Sequence, residues 1–203
     1  RNRRIGKKTG PAGGPLTLVK AWLYKDSLNP IAELDGNGNI VSRFIYASRA
    51  HVPDLMIREN ASSPTGYEVL RLIHDHLGSV RLVVNVDTGQ VVQRYYYDSF
   101  GRVAADPNLE PLGFQPFGFA GGLQDPDTGL VRFGARDYEP ESGRWTTKDP
   151  IISFGTSLTN SYFYIGNDPV NYIDIDGMEP NNFHGEQVQH KIGMYLAKRA
   201  AVA

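Results

Sequence analysis

Ile31-Ala32-Glu33-Leu34-Asp35-Gly36-Asn37-Gly38-Asn39-Ile40-Val41-Ser42-Arg43-Phe44-Ile45-Tyr46 reads as one β-hairpin. Two runs of branched and aromatic residues flank a Gly and Asn cluster, which supplies the positive φ angles that a tight turn requires. The device recurs. Val80 to Val86 enters Asp87-Thr88-Gly89 and Gln90 to Tyr97 leaves it. Leu123 leads through Asp125-Pro126-Asp127-Thr128-Gly129 into Leu130 to Phe133, and Tyr138 leads through Pro140-Glu141-Ser142-Gly143 into Arg144-Trp145. In each turn an Asp, Ser or Thr lies close to a Gly, and a short apolar strand follows. From Leu16 onward the chain therefore predicts a mainly β protein of stacked or spiralling antiparallel hairpins, with a closed barrel as the main competitor.

Helical spacing occurs only near the end. Val188, Ile192, Tyr195, Leu196 and Arg199, within Gly185 to Ala203, predict one short C-terminal amphipathic helix. The 203 residues suffice for one core or for an extended sheet array. Lys and Arg total 21 against 22 Asp and Glu, a formal net charge of -1, so global charge gives no case for nucleic acid or an anionic membrane. The absence of cysteine excludes disulfides, thiol nucleophiles and cysteine metal sites. No apolar run approaches the roughly 18 residues of a membrane-spanning helix. The chain opens on Arg1 rather than Met, so it is expected to be a fragment.

Several clusters admit a functional and a structural reading. The basic run Arg1, Arg3, Arg4, Lys7 and Lys8 fits a nucleic-acid patch, or a solvated strand end entering the turn at Thr9 to Pro15, and balanced charge elsewhere favours the latter. His74 and His76 share one strand face, but no third ligand lies near them, so neither metal nor cofactor is expected. Tyr95-Tyr96-Tyr97 and Phe114, Phe117 and Phe119 lack an interleaved basic groove for base stacking and are expected to pack between hairpins.

Four phrases together resemble the conserved core of Rhs proteins, the YD-repeat family. Tyr97-Asp98-Ser99-Phe100-Gly101-Arg102 is similar to the YD repeat, and Asp75-His76-Leu77-Gly78-Ser79 to the family's DHLGS phrase. Arg136 to Trp145 is similar to RxYDPxxGRW, and Asn167 to Tyr172 to the approach to the end of the core. The resemblance implies a hollow β-shell of wound hairpins that encases a C-terminal toxic polypeptide, of which this chain is the closing part. Residues 1–137 are then shell hairpins, 138–178 an inward-curling plug and 179–203 an extension, either a truncated toxin start or a helix held in the shell. The implied partners are the rest of the shell, its toxin, an immunity protein and a bacterial secretion-system carrier, with delivery outside the producing cell. Cut off from the preceding repeats, the first strands present open edges.

The resemblance also implies one chemical step. Many bacterial members carry a DPxG and a terminal DPxGL motif and cleave themselves after the Leu by an aspartyl-protease-like reaction. These motifs fall on Asp149-Pro150-Ile151-Ile152 and Asp174-Ile175-Asp176-Gly177-Met178, which implies Asp149 and Asp174 as the catalytic pair and scission between Met178 and Glu179. Two carboxylates in a partly dry site share a proton, so that one activates water while the other polarises the carbonyl. Arg144, Asp176 and Gly177 are candidate supporting residues. Arg144 either orients a carboxylate or packs its stem on Trp145 and Tyr138. The sequence departs from the motif at Ile152 for Gly, Ile175 for Pro and Met178 for Leu, and Asp176 adds a third carboxylate. Two functions stay open: a single-turnover aspartyl autoprotease that releases an effector, and a non-catalytic scaffold whose acids only hold turns.

Overall fold

The computed structural model describes residues 3–148, 161–178 and 181–182. Nine antiparallel strands form one sheet in chain order, so every connection joins neighbours. They are β1 (Gly6–Thr9), β2 (Thr17–Tyr24), β3 (Pro30–Asp35), β4 (Ile40–Ile45), β5 (Leu55–Glu59), β6 (Tyr67–His74), β7 (Val80–Asn85), β8 (Val91–Tyr97) and β9 (Val103–Ala105). Strands β1 and β9 remain edges, so the predicted hairpin array forms without closing into a barrel. The predicted C-terminal helix lies outside the described residues.

Alternation sets the two faces. Phe44, Met56, Leu70, Leu72 and Val83 are buried on one face, while Leu23, Ile45, Ile73 and Tyr96 remain substantially exposed on the other. The buried face carries an inner layer made by the end of the chain. Its four-stranded sheet comprises β10 (Leu123–Gln124), β11 (Val131–Phe133), β12 (Arg136–Glu139) and β13 (Arg144–Trp145), and a separate pair comprises β14 (Tyr172–Ile173) and β15 (Asn181–Asn182).

The inner layer docks through aromatic rings and backbone. Phe117 meets Phe44 edge-on with ring centroids 5.0 Å apart. Ser79 Oγ accepts the Ala120 N–H at 2.9 Å, fixing a one-turn helix at Phe119–Gly121. Tyr138 donates its hydroxyl to Phe100 O at 2.8 Å. Tyr95, Tyr97, Phe114, Phe117 and Phe119 thus pack within the protein, as their sequence context suggests, whereas Tyr96 faces outward. His76 Nε2 lies 3.0 Å from Val170 O, a structural contact between sheet and inner layer.

The basic amino terminus departs from its sequence reading. Lys7, on β1, binds Asp125 at 2.6 Å and Asp127 at 2.5 Å, and Arg4 binds Asp137 at 3.1 Å. These cations are paired rather than simply solvated, because the Asp125 to Gly129 turn folds back across the first strand.

Gly101, in the YD turn, shows how tightly the layers meet. A Cβ there would lie 2.4 Å from the Phe119 ring at a φ of +86°, whereas one on Gly89, at +72°, meets open space. Gly89→Ala is therefore expected to cost about 1–2 kcal/mol from backbone strain alone. Gly101→Ala adds about 1–3 kcal/mol of overpacking. Urea midpoints of the two variants check this, and equal losses contradict the close approach.

Candidate functional site

One turn design recurs along the chain with the spacing Asp-x-x-Gly-x. Asp35 Oδ1 accepts the N–H groups of Asn37 at 2.9 Å and Asn39 at 2.8 Å. Asp75 Oδ1 accepts those of Leu77 and Ser79 at 3.1 and 3.0 Å, and Asp98 Oδ1 those of Phe100 and Arg102 at 2.9 and 3.0 Å. The fourth residue is Gly38, Gly78 or Gly101, with φ of +90°, +93° and +86°. Each carboxylate replaces the missing ladder partners of backbone N–H groups at a hairpin end.

Asp174-Ile175-Asp176-Gly177-Met178 is a fourth copy in a different environment. Asp174 Oδ1 accepts the Met178 N–H at 3.0 Å, and Gly177 has a φ of +68°. Asp35, Asp75 and Asp98 are at least partly exposed, but Asp174 is only 2% exposed. The side-chain amide and backbone N–H of Asn39 hold the Asp35 carboxyl below its ordinary range. At Asp174 burial dominates and pushes the carboxyl up to about 7, against the pull of Arg136 and with a further push from Asp176.

Arg136, at the start of β12, joins this turn to the inner sheet. Its Nη2 lies 3.0 Å from Asp174 Oδ2, its Nε donates to Gly177 O at 2.5 Å, and its guanidinium lies 4.0 Å over the Trp145 ring. Both partners are buried, so the pair is a desolvated, hydrogen-bonded one. Backbone fit completes the clasp. Ala135 donates its N–H to Asp176 O at 2.8 Å, and a Cβ on Gly177 would lie 2.3 Å from Phe133 O.

The expected site residues separate under this geometry. Asp174, Asp176, Gly177 and Met178 come together in one turn. Arg144 does not join them: it is exposed on β13 and stands 5.7 Å over the Phe163 ring. Arg136, and not Arg144, holds the Asp174 carboxyl, and strand alternation carries the signal. Tyr138 pairs with Trp145 and both are buried, so Arg136 shares their face while Arg144, paired with Glu139, takes the other. Asp149, Ile152 and Glu179 lie outside the described residues. No group of three or more metal-binding side chains occurs among the described residues, and no described helix is long and apolar enough to cross a membrane.

The raised Asp174 carboxyl has a stability consequence with a definite sign. The unfolded chain releases this proton near pH 4 and the folded chain near 7. Proton binding thus stabilises the fold fully at low pH, and that contribution is lost as pH rises from about 4 to about 7. The urea midpoint of the full chain is expected to fall over that interval. Asp174→Asn, which stays neutral, is expected to flatten the slope, and an unchanged slope contradicts the assignment.

Residues 3–170 match the family described as Teneurin YD-shell. Salivary gland surface protein 1 of Aedes aegypti is 37% identical over 103 residues, 51% of this chain and 3% of that protein. The tRNA nuclease WapA of Bacillus subtilis strain 168 is 30% identical over 154 residues, 75% of this chain and 6% of the relative. The chain thus spans only a small part of the curated relatives it matches. The crystal structure of TcdB2-TccC3-TEV superposes with a TM-score of 0.51 at 20% identity, over 84% of this chain and 9% of the other, a likeness of fold. With its hairpin meander, its inner layer and a family match over most of its length, the chain belongs to the YD-repeat shell family of Rhs proteins and teneurins.

Proposed function

We propose that this YD-repeat shell segment closes a compartment around a C-terminal effector and cuts its own chain once, between Met178 and Glu179. The buried Asp174 turn, clasped by Arg136 beside Met178, is the observation that carries this reading. In this division of labour residues 1–137 supply shell wall, 138–178 the plug and 179–203 the start of the extension. The rest of the shell and the effector are the direct partners, with an immunity protein and a secretion carrier as further ones.

The cut is a balanced hydrolysis. Asp149, as carboxylate, takes a proton from a water whose oxygen adds to the Met178 carbonyl carbon, while protonated Asp174 gives its proton to the carbonyl oxygen. The tetrahedral intermediate then returns a hydroxyl proton to Asp174. Its bond to the Glu179 nitrogen breaks, and that nitrogen takes the proton from Asp149. One water is consumed, leaving a Met178 carboxyl group and a Glu179 amine. Arg136 holds Asp174 and the Gly177 carbonyl in place, and the intramolecular arrangement removes the need to capture a substrate. A cleft bounded by Arg4, Tyr24, His51, Arg132 and Ile175 reaches the turn and offers a path for water. Backbone pairing of Tyr172 with Asn182 and Ile173 with Asn181 spans the bond, so the cut falls in the loop between two paired strands.

A second reading is a non-catalytic scaffold. It is favoured by the kinship of the Asp174 turn with those at Asp35, Asp75 and Asp98, where the carboxylate serves to hold backbone donors of the turn. Incubating the purified full chain at pH 7 and determining product masses separates the two. Self-cleavage predicts a fragment beginning at Glu179, with the rate lowered by at least about 100-fold in Asp149→Ala and Asp174→Asn. A single intact mass for the folded wild-type chain establishes the scaffold reading instead.

A further inference from the structure

The Asp174 turn differs from the three earlier ones at its third position, where Asn37, Leu77 and Phe100 are replaced by Asp176. Asp176 Oδ1 accepts the Met178 N–H at 3.0 Å, the same donor that Asp174 Oδ1 accepts at 3.0 Å. Two carboxyl oxygens therefore converge on one hydrogen. Two ionised carboxylates brought this close repel each other, and one proton held between them relieves that repulsion. Arg136 holds the remaining Asp174 oxygen, Oδ2. Asp176 is itself fixed by the Ala135 N–H on its backbone oxygen and by the tightly fitted Gly177.

We propose that Asp176 is a positioning residue of this turn, sharing one proton with Asp174 across the Met178 N–H and so keeping Asp174 protonated for the cut. The sharing rests on the convergence of both carboxyls at the Met178 N–H, whereas its use in scission rests on the self-cleavage reading. The charges close: two carboxyls with one proton carry a single negative charge, and Arg136 from β12 supplies a single positive one. This neutral triad explains how a carboxyl and a guanidinium are both accommodated in the core. Among the described residues, the titratable and charged groups facing Asp174 are Arg136, Asp176 and Tyr164. Tyr164 is fully buried and its hydroxyl is held protonated far above neutrality, so it does not compete for the role. The assignment also gives purpose to the extra carboxylate by which this chain departs from a simple turn, and it leaves Asp149 free to act on water.

Asp176→Asn is nearly isosteric and keeps an oxygen for the Met178 N–H, which makes it the informative variant, with Asp176→Glu as the conservative control. The measurement is a titration of the full chain labelled with 13C at the Asp carboxyl carbons, the Asp174 signal being assigned by its loss in Asp174→Asn. Asp176→Asn is expected to lower the Asp174 midpoint by about one pH unit or more, and Asp176→Glu to restore it. Scission at pH 7 is expected to slow about fivefold or more in Asp176→Asn, following the reduced protonated fraction, with its pH profile moved to lower pH. An Asp174 midpoint unchanged by Asp176→Asn, in a chain whose backbone chemical shifts show the native fold, overturns the proposal. If the midpoint moves but no variant cleaves, proton sharing stands and self-cleavage fails. If cleavage proceeds at the wild-type rate with an unmoved midpoint, the reverse holds.

Discussion

The contact between Arg136 and Asp174 is the constraint on which the end of this chain depends. A buried carboxylate or guanidinium alone is costly, and the two are tolerated in the core because each satisfies the other. The consequences are geometric. Arg136 can reach Asp174 Oδ2 and Gly177 O together only if the terminal turn lies against the β11 to β12 connection, which is where the Ala135 N–H and the bare Gly177 backbone fit it. Trp145 covers the guanidinium from its other side at 4.0 Å and links the clasp to the aromatic core. That core in turn lies on the YD turn, where Phe119 rests against Gly101.

The turn at Asp174 places a recurrent structural device in a new environment while keeping its i to i+4 bond. At Asp35 the carboxylate faces solvent and is held by Asn39, so ionisation is favoured. At Asp174 the same i to i+4 bond is made inside the protein, and burial reverses the preference. A family of hairpins that uses Asp to finish each turn thus has a candidate acid available wherever a turn folds inward. The hairpin spanning Met178, with β14 paired to β15, puts such a turn at the loop tip where the proposed cut falls.

Much of the fold was legible in the sequence because the turns are local. Asp, Asn and Gly at fixed spacing specify hairpins at Asp35, Asp75 and Asp98 through bonds spanning two to four residues. What depended on distant partners was not legible. The basic amino terminus looked solvated because Asp125, Asp127 and Asp137, its partners, are more than a hundred residues away in the chain. Arg136 and Arg144 flank the same aromatic pair, and the phrase that holds both does not say which of them turns toward the carboxylate. Strand parity separates them: buried Tyr138 two residues on places Arg136 inward, and buried Trp145 next in sequence places Arg144 outward.

Amide hydrogen exchange of the full chain and of Arg136→Met tests the clasp most directly, because it reports on the turn whether or not the chain has been cut. The amides of Ala135 and Met178, bonded to Asp176 O and to the two carboxyls, are predicted to lose about 100-fold or more of their protection in the variant. Amides within β6 and β7 are predicted to keep theirs. Undiminished protection at Ala135 and Met178 would contradict the account, because the terminal turn would then be held in place without Arg136.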